Sequence, residues 1–196
     1  MVVDSIRQMT VEEYFAFDEA SEYKNEYIDG EVYPMTGGTA SHAEIMLNVG
    51  FALGLRLRGG DFHFYSSAMR IRVSPARYLY PDLSVVCGEP ELDERAINLF
   101  NPTLVAEVTS PATANKDRGF KRDLYQSISS LQVYIIIDQF KAQVEVDSRL
   151  DDSWQTKEYA DLDAIIPLPA LGCDLPLAEI YHGIQFEAGE SASAAK

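Results

Sequence analysis

Tyr80-Pro81-Asp82-Leu83-Ser84-Val85-Val86-Cys87 and Leu104-Val105-Ala106-Glu107-Val108-Thr109-Ser110-Pro111 are the two runs on which the reading of this chain turns. Both are rich in Val and Leu and read as buried strands. Each nevertheless holds a carboxylate, Asp82 in the first and Glu107 in the second. An unpaired ionised carboxylate in a core is costly, or it shifts its pKa until it is neutral. The simplest resolution is that both side chains point at one shared site with a cation between them. Oxygen-only ligands of this kind suit Mg²⁺, which takes one or two carboxylates and keeps most of its waters.

Downstream of the second run, Asp117, Lys121 and Tyr125 recur at intervals of four and so share one face of a helix. A plain Asp–Lys surface pair would give the same spacing and be worth only a few tenths of a kcal/mol. Leu124 and Ile128, on a neighbouring stripe, argue instead for a packed helix. Gln132 to Ile137 is the most apolar strand and reads as central. Ala142 to Val146 pairs with it through the turn at Asp138 to Lys141. Trp154 to Tyr159 adds an antiparallel strand, and Asp174 to Tyr181 a short strand and then a helix.

Upstream, Phe62 to Ser67 and Met69 to Val73 read as strands. In the second, Met69, Ile71 and Val73 alternate with Arg70 and Arg72, the mark of a half-exposed strand. The strand holding Asp82 begins near Tyr78. Gly88 to Asn101 is a polar connection with a short helix around Asp93 to Leu99.

At the start of the chain, Thr10-Val11-Glu12-Glu13 is a capping box that opens a helix from Val11 to about Glu19. Tyr27-Ile28 and Val32-Tyr33 flank Asp29-Gly30, a two-residue hairpin signal. Glu26 and Glu31 then read as solvent-facing strand positions. Gly37-Gly38 ends the hairpin, and Ser41-His42-Ala43-Glu44 is a second capping box. Its helix carries Ile45, Val49, Ala52 and Leu53 on one stripe and stops at Gly59-Gly60. His42, in the first turn, is either a packing residue or a functional one. This order of elements predicts an α/β (α+β) fold, a mixed sheet with helices on its faces. One domain spans residues 10–187, after an N-terminal extension (1–9) and before a small-residue, flexible tail (188–196).

A chain of 196 residues can bury one sizeable core. No segment approaches ~18 consecutive apolar residues, and Met1 to Gln8 lacks the apolar centre of a signal peptide, so a cytoplasmic protein is expected. The two cysteines, Cys87 and Cys173, have no zinc spacing, and Cys87 reads as a small core residue. A net charge of −15 argues against a protein that coats itself in nucleic acid. The acid is unevenly spread: Arg56 to Arg122 holds ten Lys/Arg against eight Asp/Glu. A local basic face beside the site is therefore compatible with the total.

Pro81-Asp82, then Glu107-Val108-Thr109-Ser110-Pro111, then Asp117 and Lys121 resemble the Uma-two type of restriction endonuclease, within the PD-(D/E)XK nuclease superfamily. Tyr27-Ile28-Asp29-Gly30-Glu31 and Ser41-His42 are similar to that family's N-terminal pattern. The resemblance spans Met9 to Tyr181. It implies a restriction endonuclease-like core and metal-assisted phosphodiester hydrolysis of DNA, with Mg²⁺ as the ion and Mn²⁺ as a substitute. Asp82, Glu107 and the backbone carbonyl of Val108 would hold the ion. The superfamily pattern puts a lysine two residues after Glu107, where this chain has Thr109. Lys121 is the substitute, orienting water and stabilising charge on the phosphate. Asp117 and Tyr125 would hold Lys121 in place. The first acidic position falls on Glu26 or Glu44, with Glu26 preferred.

Two further readings stay open. Thr109 and the negative charge favour a degenerate nuclease fold that serves as a binding or assembly module, and a small phosphorylated substrate would avoid the charge conflict with DNA. An enzyme that cuts both strands of a duplex needs two sites, so a homodimer is expected.

Overall fold

A computed structural model describes residues 8–35, 37–109 and 116–186. The Ser110-Pro111 strand end, most of the N-terminal extension and the expected tail lie outside the described residues. Helix α1 (Val11–Ala20) opens on the Thr10 capping box. Glu13 N–H donates to the Thr10 hydroxyl at 3.2 Å, and Thr10 N–H donates back to Glu13 Oε2 at 2.8 Å. Thr10→Ala removes one of these acceptors and should cost about 1 kcal/mol in a urea titration.

Strands β1 (Asn25–Ile28) and β2 (Glu31–Pro34) form the expected hairpin. Asp29 and Gly30 between them have φ of 51° and 101°, the left-handed pair that a tight type I′ turn demands. Helix α2 (Ala40–Arg56) follows and buries the stripe Ile45, Val49, Ala52 and Leu53. Its cap differs from expectation. Thr39 Oγ1, not the Ser41 side chain, accepts the His42 N–H at 3.1 Å, which moves the helix start two residues earlier and leaves Glu44 outside any box.

The remaining strands divide between sheets. β4 (Arg70–Ser74), β5 (Arg77–Leu79) and β7 (Asn98–Leu99) join the hairpin in a five-stranded sheet of order β2-β1-β5-β4-β7. β3 (Phe62–Ser66), β6 (Leu83–Cys87), β8 (Leu104–Thr109), β9 (Val133–Asp138), β10 (Val144–Leu150) and β11 (Ser153–Tyr159) form a six-stranded mixed sheet of order β3-β6-β8-β9-β10-β11. Only β8 and β9 run parallel in that sheet. Their crossover carries a π-helical turn (Asp117–Lys121) and helix α3 (Arg122–Gln126). A third, small sheet pairs β12 (Ile165–Leu168) with β13 (Cys173–Pro176), and helix α4 (Leu177–Ile180) follows it.

Period two along β8 builds the layers. Leu104, Ala106 and Val108 enter a core shared with α2, α4 and the small sheet. Val105, on the opposite face, joins a second core with Leu124, Tyr125, Tyr134 and the five-stranded sheet. β9, central as expected, has Val133 to Ile137 buried on both faces. No helix among the described residues is long and apolar enough to cross a membrane.

Four local expectations are corrected. The strand expected from Tyr78 is broken at Tyr80-Pro81-Asp82, where the chain leaves one sheet for the other. Pro81 has no N–H for a ladder, which makes it a natural crossing point. Arg70 is buried, because α1 and β7 close over its end of β4. Its guanidinium donates to Asn98 Oδ1 at 2.6 Å and Asp18 Oδ2 at 3.0 Å, and lies 4.5 Å from the Phe15 ring centre. The segment Asp93 to Leu99 forms a turn and β7 rather than a helix, with Asp93 Oδ1 accepting the N–H groups of Ile97 and Asn98. Cys87, at the end of β6, is exposed and not a core residue.

Candidate active site

Three structural devices bring the polar groups together. Glu107 lies on the α3 side of β8, two residues before Thr109 and on the same face. Asp82 sits where the chain enters β6, and its Oδ2 accepts the Val108 N–H at 2.8 Å, the bond a continued ladder would have made. The crossover then lays Lys121 and Tyr125 over Glu107. Lys121 Nζ donates to Glu107 Oε1 at 2.8 Å, and the Tyr125 hydroxyl donates to the same oxygen at 2.9 Å.

Glu26 is the fourth member, and it is buried at 3% exposure rather than solvent-facing. The crossover closes over this face of β1, so it is not wet. Glu26 Oε1 lies 2.9 Å from Lys121 Nζ, and Oε2 accepts from Lys116 Nζ at 2.9 Å. Asp117 Oδ1 is 3.9 Å from Lys121, and the backbone carbonyl of Asp117 accepts the Tyr134 hydroxyl at 3.2 Å. His42 Nε2 reaches Asp82 Oδ2 at 3.1 Å from the first turn of α2. Glu26, His42, Asp82, Glu107, Val108, Asp117 and Lys121 line one cavity of about 150 Å³, along with Pro34, Met35 and Lys116. Tyr125 stands behind Glu107. Glu44 is exposed on α2 and does not line the cavity.

The chain as a whole matches a known family. The model of the Uma2 family, described as "Putative restriction endonuclease", matches residues 11–178. The chain belongs to the Uma2 family. Two relatives from Synechocystis sp. are similar along most of their length. The protein sll1609 is 34% identical over 169 residues, which is 85% of this chain and 96% of the relative. The protein slr1290 is 32% identical over 181 residues, 91% of this chain and 94% of the relative. Both carry the description "uncharacterized protein". The fold is similar to a crystal structure from Anabaena variabilis described as a "putative nuclease belonging to DUF820". Its TM-score is 0.72 at 18% identity, over 88% of this chain and 97% of that one.

The electrostatics of this Uma2 site are set by burial against a surplus of carboxylates. Burial pushes Glu107 up to about 8; Lys121 pulls it back, while Asp82, Asp117 and Glu26 add to the rise. Burial also works against the charge on Glu26, but Lys121 and Lys116 outweigh it and hold Glu26 below the usual range. Lys121 is desolvated too, yet Glu107, Glu26 and Asp117 raise its pKa well above the ordinary lysine value. It is therefore a fixed ammonium that donates hydrogen bonds and does not act as a base. The hydrogen bond to Asp82 raises His42, against a smaller opposing effect of burial. Burial holds the Tyr125 phenol far above its usual range, so it stays a donor.

Whether the donors suit a divalent ion can be read from their oxygens. Glu107 Oε1 and Asp82 Oδ2 are engaged, whereas Glu107 Oε2 and Asp82 Oδ1 accept no hydrogen bond from a described residue. The Val108 N–H points off β8 toward Asp82, and in an extended strand the carbonyl of the same residue faces the same side. Two carboxylate oxygens and one carbonyl are a hard, sparse set that fits Mg²⁺ completed by water. No group of three His, Cys, Asp or Glu side chains that could hold a metal occurs among the described residues. A soft or fully protein-caged ion is a poor match.

Sequence reasoning missed Lys116, Tyr134 and Gln139. Gln139 ties the site's frame together: Thr39 Oγ1 donates to its Oε1 at 2.5 Å, and its Nε2 donates to the Thr109 carbonyl at 3.1 Å. Gln139 lies in a turn after β9, and no pattern marked it. Thr109 itself is buried, its hydroxyl 3.4 Å from the Ile137 carbonyl, so Lys121 reaches Glu107 from the helix instead. A larger cavity of about 430 Å³ lies between β10–β11 and β12–β13, but its lining holds only Lys157 and Asp174 as charged groups. It assembles no comparable chemistry.

Proposed function

We propose that this chain is a Mg²⁺-dependent nuclease that hydrolyses phosphodiester bonds in DNA, with Mn²⁺ able to replace Mg²⁺. One observation carries the reading: Asp82, Glu107 and Lys121, from three separate elements, meet in one cavity with a carboxylate oxygen to spare on each acid. Asp82, Glu107 and the Val108 carbonyl would hold the ion, which when bound supplies charge against a phosphoryl oxygen and acidifies water. Lys121, fixed between Glu26 and Glu107, presents its ammonium to the developing charge on the phosphate. As a permanent cation it orients water by donation and is not the base. Lys116 also lines the cavity and adds positive charge where a phosphate must approach. Cutting both strands of a duplex calls for two copies of this site.

The alternative, a nuclease fold kept as a binding module, draws on one feature. Lys121 is already saturated by two carboxylates, so the site is neutralised from within. Cleavage of supercoiled plasmid and of single-stranded DNA with Mg²⁺, with Mn²⁺ and with chelator separates the two. Cation-dependent nicking supports the nuclease; binding without cleavage under all conditions overturns it. His42→Ala should lower the cleavage rate by about 10- to 100-fold, because His42 positions Asp82 and does not itself hold the ion.

A further inference from the structure

Helix α2 is apolar on two opposite sides. Its core stripe faces the six-stranded sheet, yet Leu47, Phe51 and Leu55 on the opposite side are 62%, 68% and 69% exposed. Between Ala40 and Leu55 the only acidic or basic side chains are His42, turned to Asp82, and Glu44. A helix without a polar face is ordinarily a buried one. Three side chains this exposed present on the order of 350 Å², already the scale of the largest apolar patch on a soluble monomer.

We propose that α2 is the contact helix of a homodimer, packed antiparallel against α2 of a second copy with the twofold axis at Phe51. The stripe reads the same in both directions, with a leucine four residues to either side of Phe51. An isologous contact requires that symmetry, so that Phe51 meets its own copy and Leu47 meets Leu55 of the partner. Gly50 and Gly54 flank the stripe, and a Cβ at either would touch nothing, which leaves room for a close backbone approach.

Charge does not stand in the way: Arg56, at the end of the helix, is held by Glu179, and Glu44, near its start, lies with its carboxylate beside Gly183. The net charge of −15 disfavours an anionic membrane as occupant, and two such chains repel least where this face is bare of charge. His42 stands nine residues from Phe51, about 13 Å at 1.5 Å per residue. The dimer thus sets two cavities on the order of 27 Å apart along the paired helices. This interface does not depend on the chemistry assigned to the cavity.

Sedimentation equilibrium of the full chain at tens of micromolar tests it. The wild type should give twice the chain mass, and Phe51→Glu the chain mass with an unchanged circular dichroism spectrum. Leu47→Glu should likewise give the chain mass. In a Cys87→Ser background, Phe51→Cys should form a disulfide-linked dimer under mild oxidation, while Leu47→Cys should do so only together with Leu55→Cys. A monomeric wild type, a dimeric Phe51→Glu, or a Phe51→Cys that forms no disulfide overturns the proposal.

Discussion

Asp82→Asn and Glu107→Gln are each expected to reduce DNA cleavage on the order of 10³-fold while leaving the fold in place. The amides are better probes than alanine because they keep the hydrogen bonds. Asn at position 82 can still accept the Val108 N–H, and Gln at position 107 can still accept from Lys121 and Tyr125. What they remove is the negative charge. For Glu107 the structural cost near neutral pH is small, since a carboxyl pushed up to about 8 is already largely protonated without an ion. A folded pKa above the unfolded one means that the native state holds the extra proton, so wild-type stability falls as pH rises from about 4.5 toward 8. Glu107→Gln should lose this dependence and be the more stable protein at pH 9 without metal. Plasmid nicking and urea denaturation measure the two effects separately. Cleavage by either variant at the wild-type rate removes that carboxylate from the chemistry.

The legibility of this site followed from how local each signal was. Asp82 and Glu107 stood out because carboxylates in Val- and Leu-rich runs contradict their surroundings, and Asp117, Lys121 and Tyr125 because a four-residue spacing marks one helical face. Lys116 and Gln139 carry no such mark. Their roles come from elements that meet only after the sheets have assembled: Lys116 reaches across to β1, and Gln139 bridges α2 to the end of β8. Resemblance picks out Glu26, while alternation along β1 points it outward. Only the packing of the five-stranded sheet against the crossover makes that outward face an interior.

The fold divides along the same line. The Asp29-Gly30 turn, the α2 core stripe and the β9–β10–β11 meander are short-range patterns and were readable. The break at Tyr80-Pro81-Asp82 was not, because period two continues on both sides while the strand partners change. Arg70 shows the limit of alternation most clearly. Arg-apolar alternation in β4 describes two faces, and it cannot say whether the charged face meets water or, as here, Asp18 and a set of aromatic rings.

Lys121→Met should destabilise the metal-free protein by about 3–5 kcal/mol at pH 7, the usual consequence of removing one partner from a buried ionic cluster. Lys121 lies within 2.9 Å of both Glu26 and Glu107, and without it Lys116 alone faces Glu26. The loss should shrink at pH 5, where the stranded Glu26 takes up a proton, Glu107 already holding one at pH 7. Added MnCl₂ should raise the melting temperature of both wild type and Lys121→Met, because neither lacks Asp82 or Glu107 and a ligand that binds only the native state stabilises it by mass action. The sign with pH follows from Glu107. Its proton must leave before the ion enters, so apparent affinity rises as pH approaches about 8 from below. At one proton per ion the added stabilisation between pH 5 and pH 7 is up to about 2.7 kcal/mol. Lys121→Met should therefore keep the metal shift and lose cleavage, while Asp82→Asn should lose both. Melting curves against MnCl₂ at the two pH values resolve all three proteins. Equal shifts for wild type and Asp82→Asn would assign the cation to the general acidic surface of a chain with net charge −15, and take the ion away from the cavity.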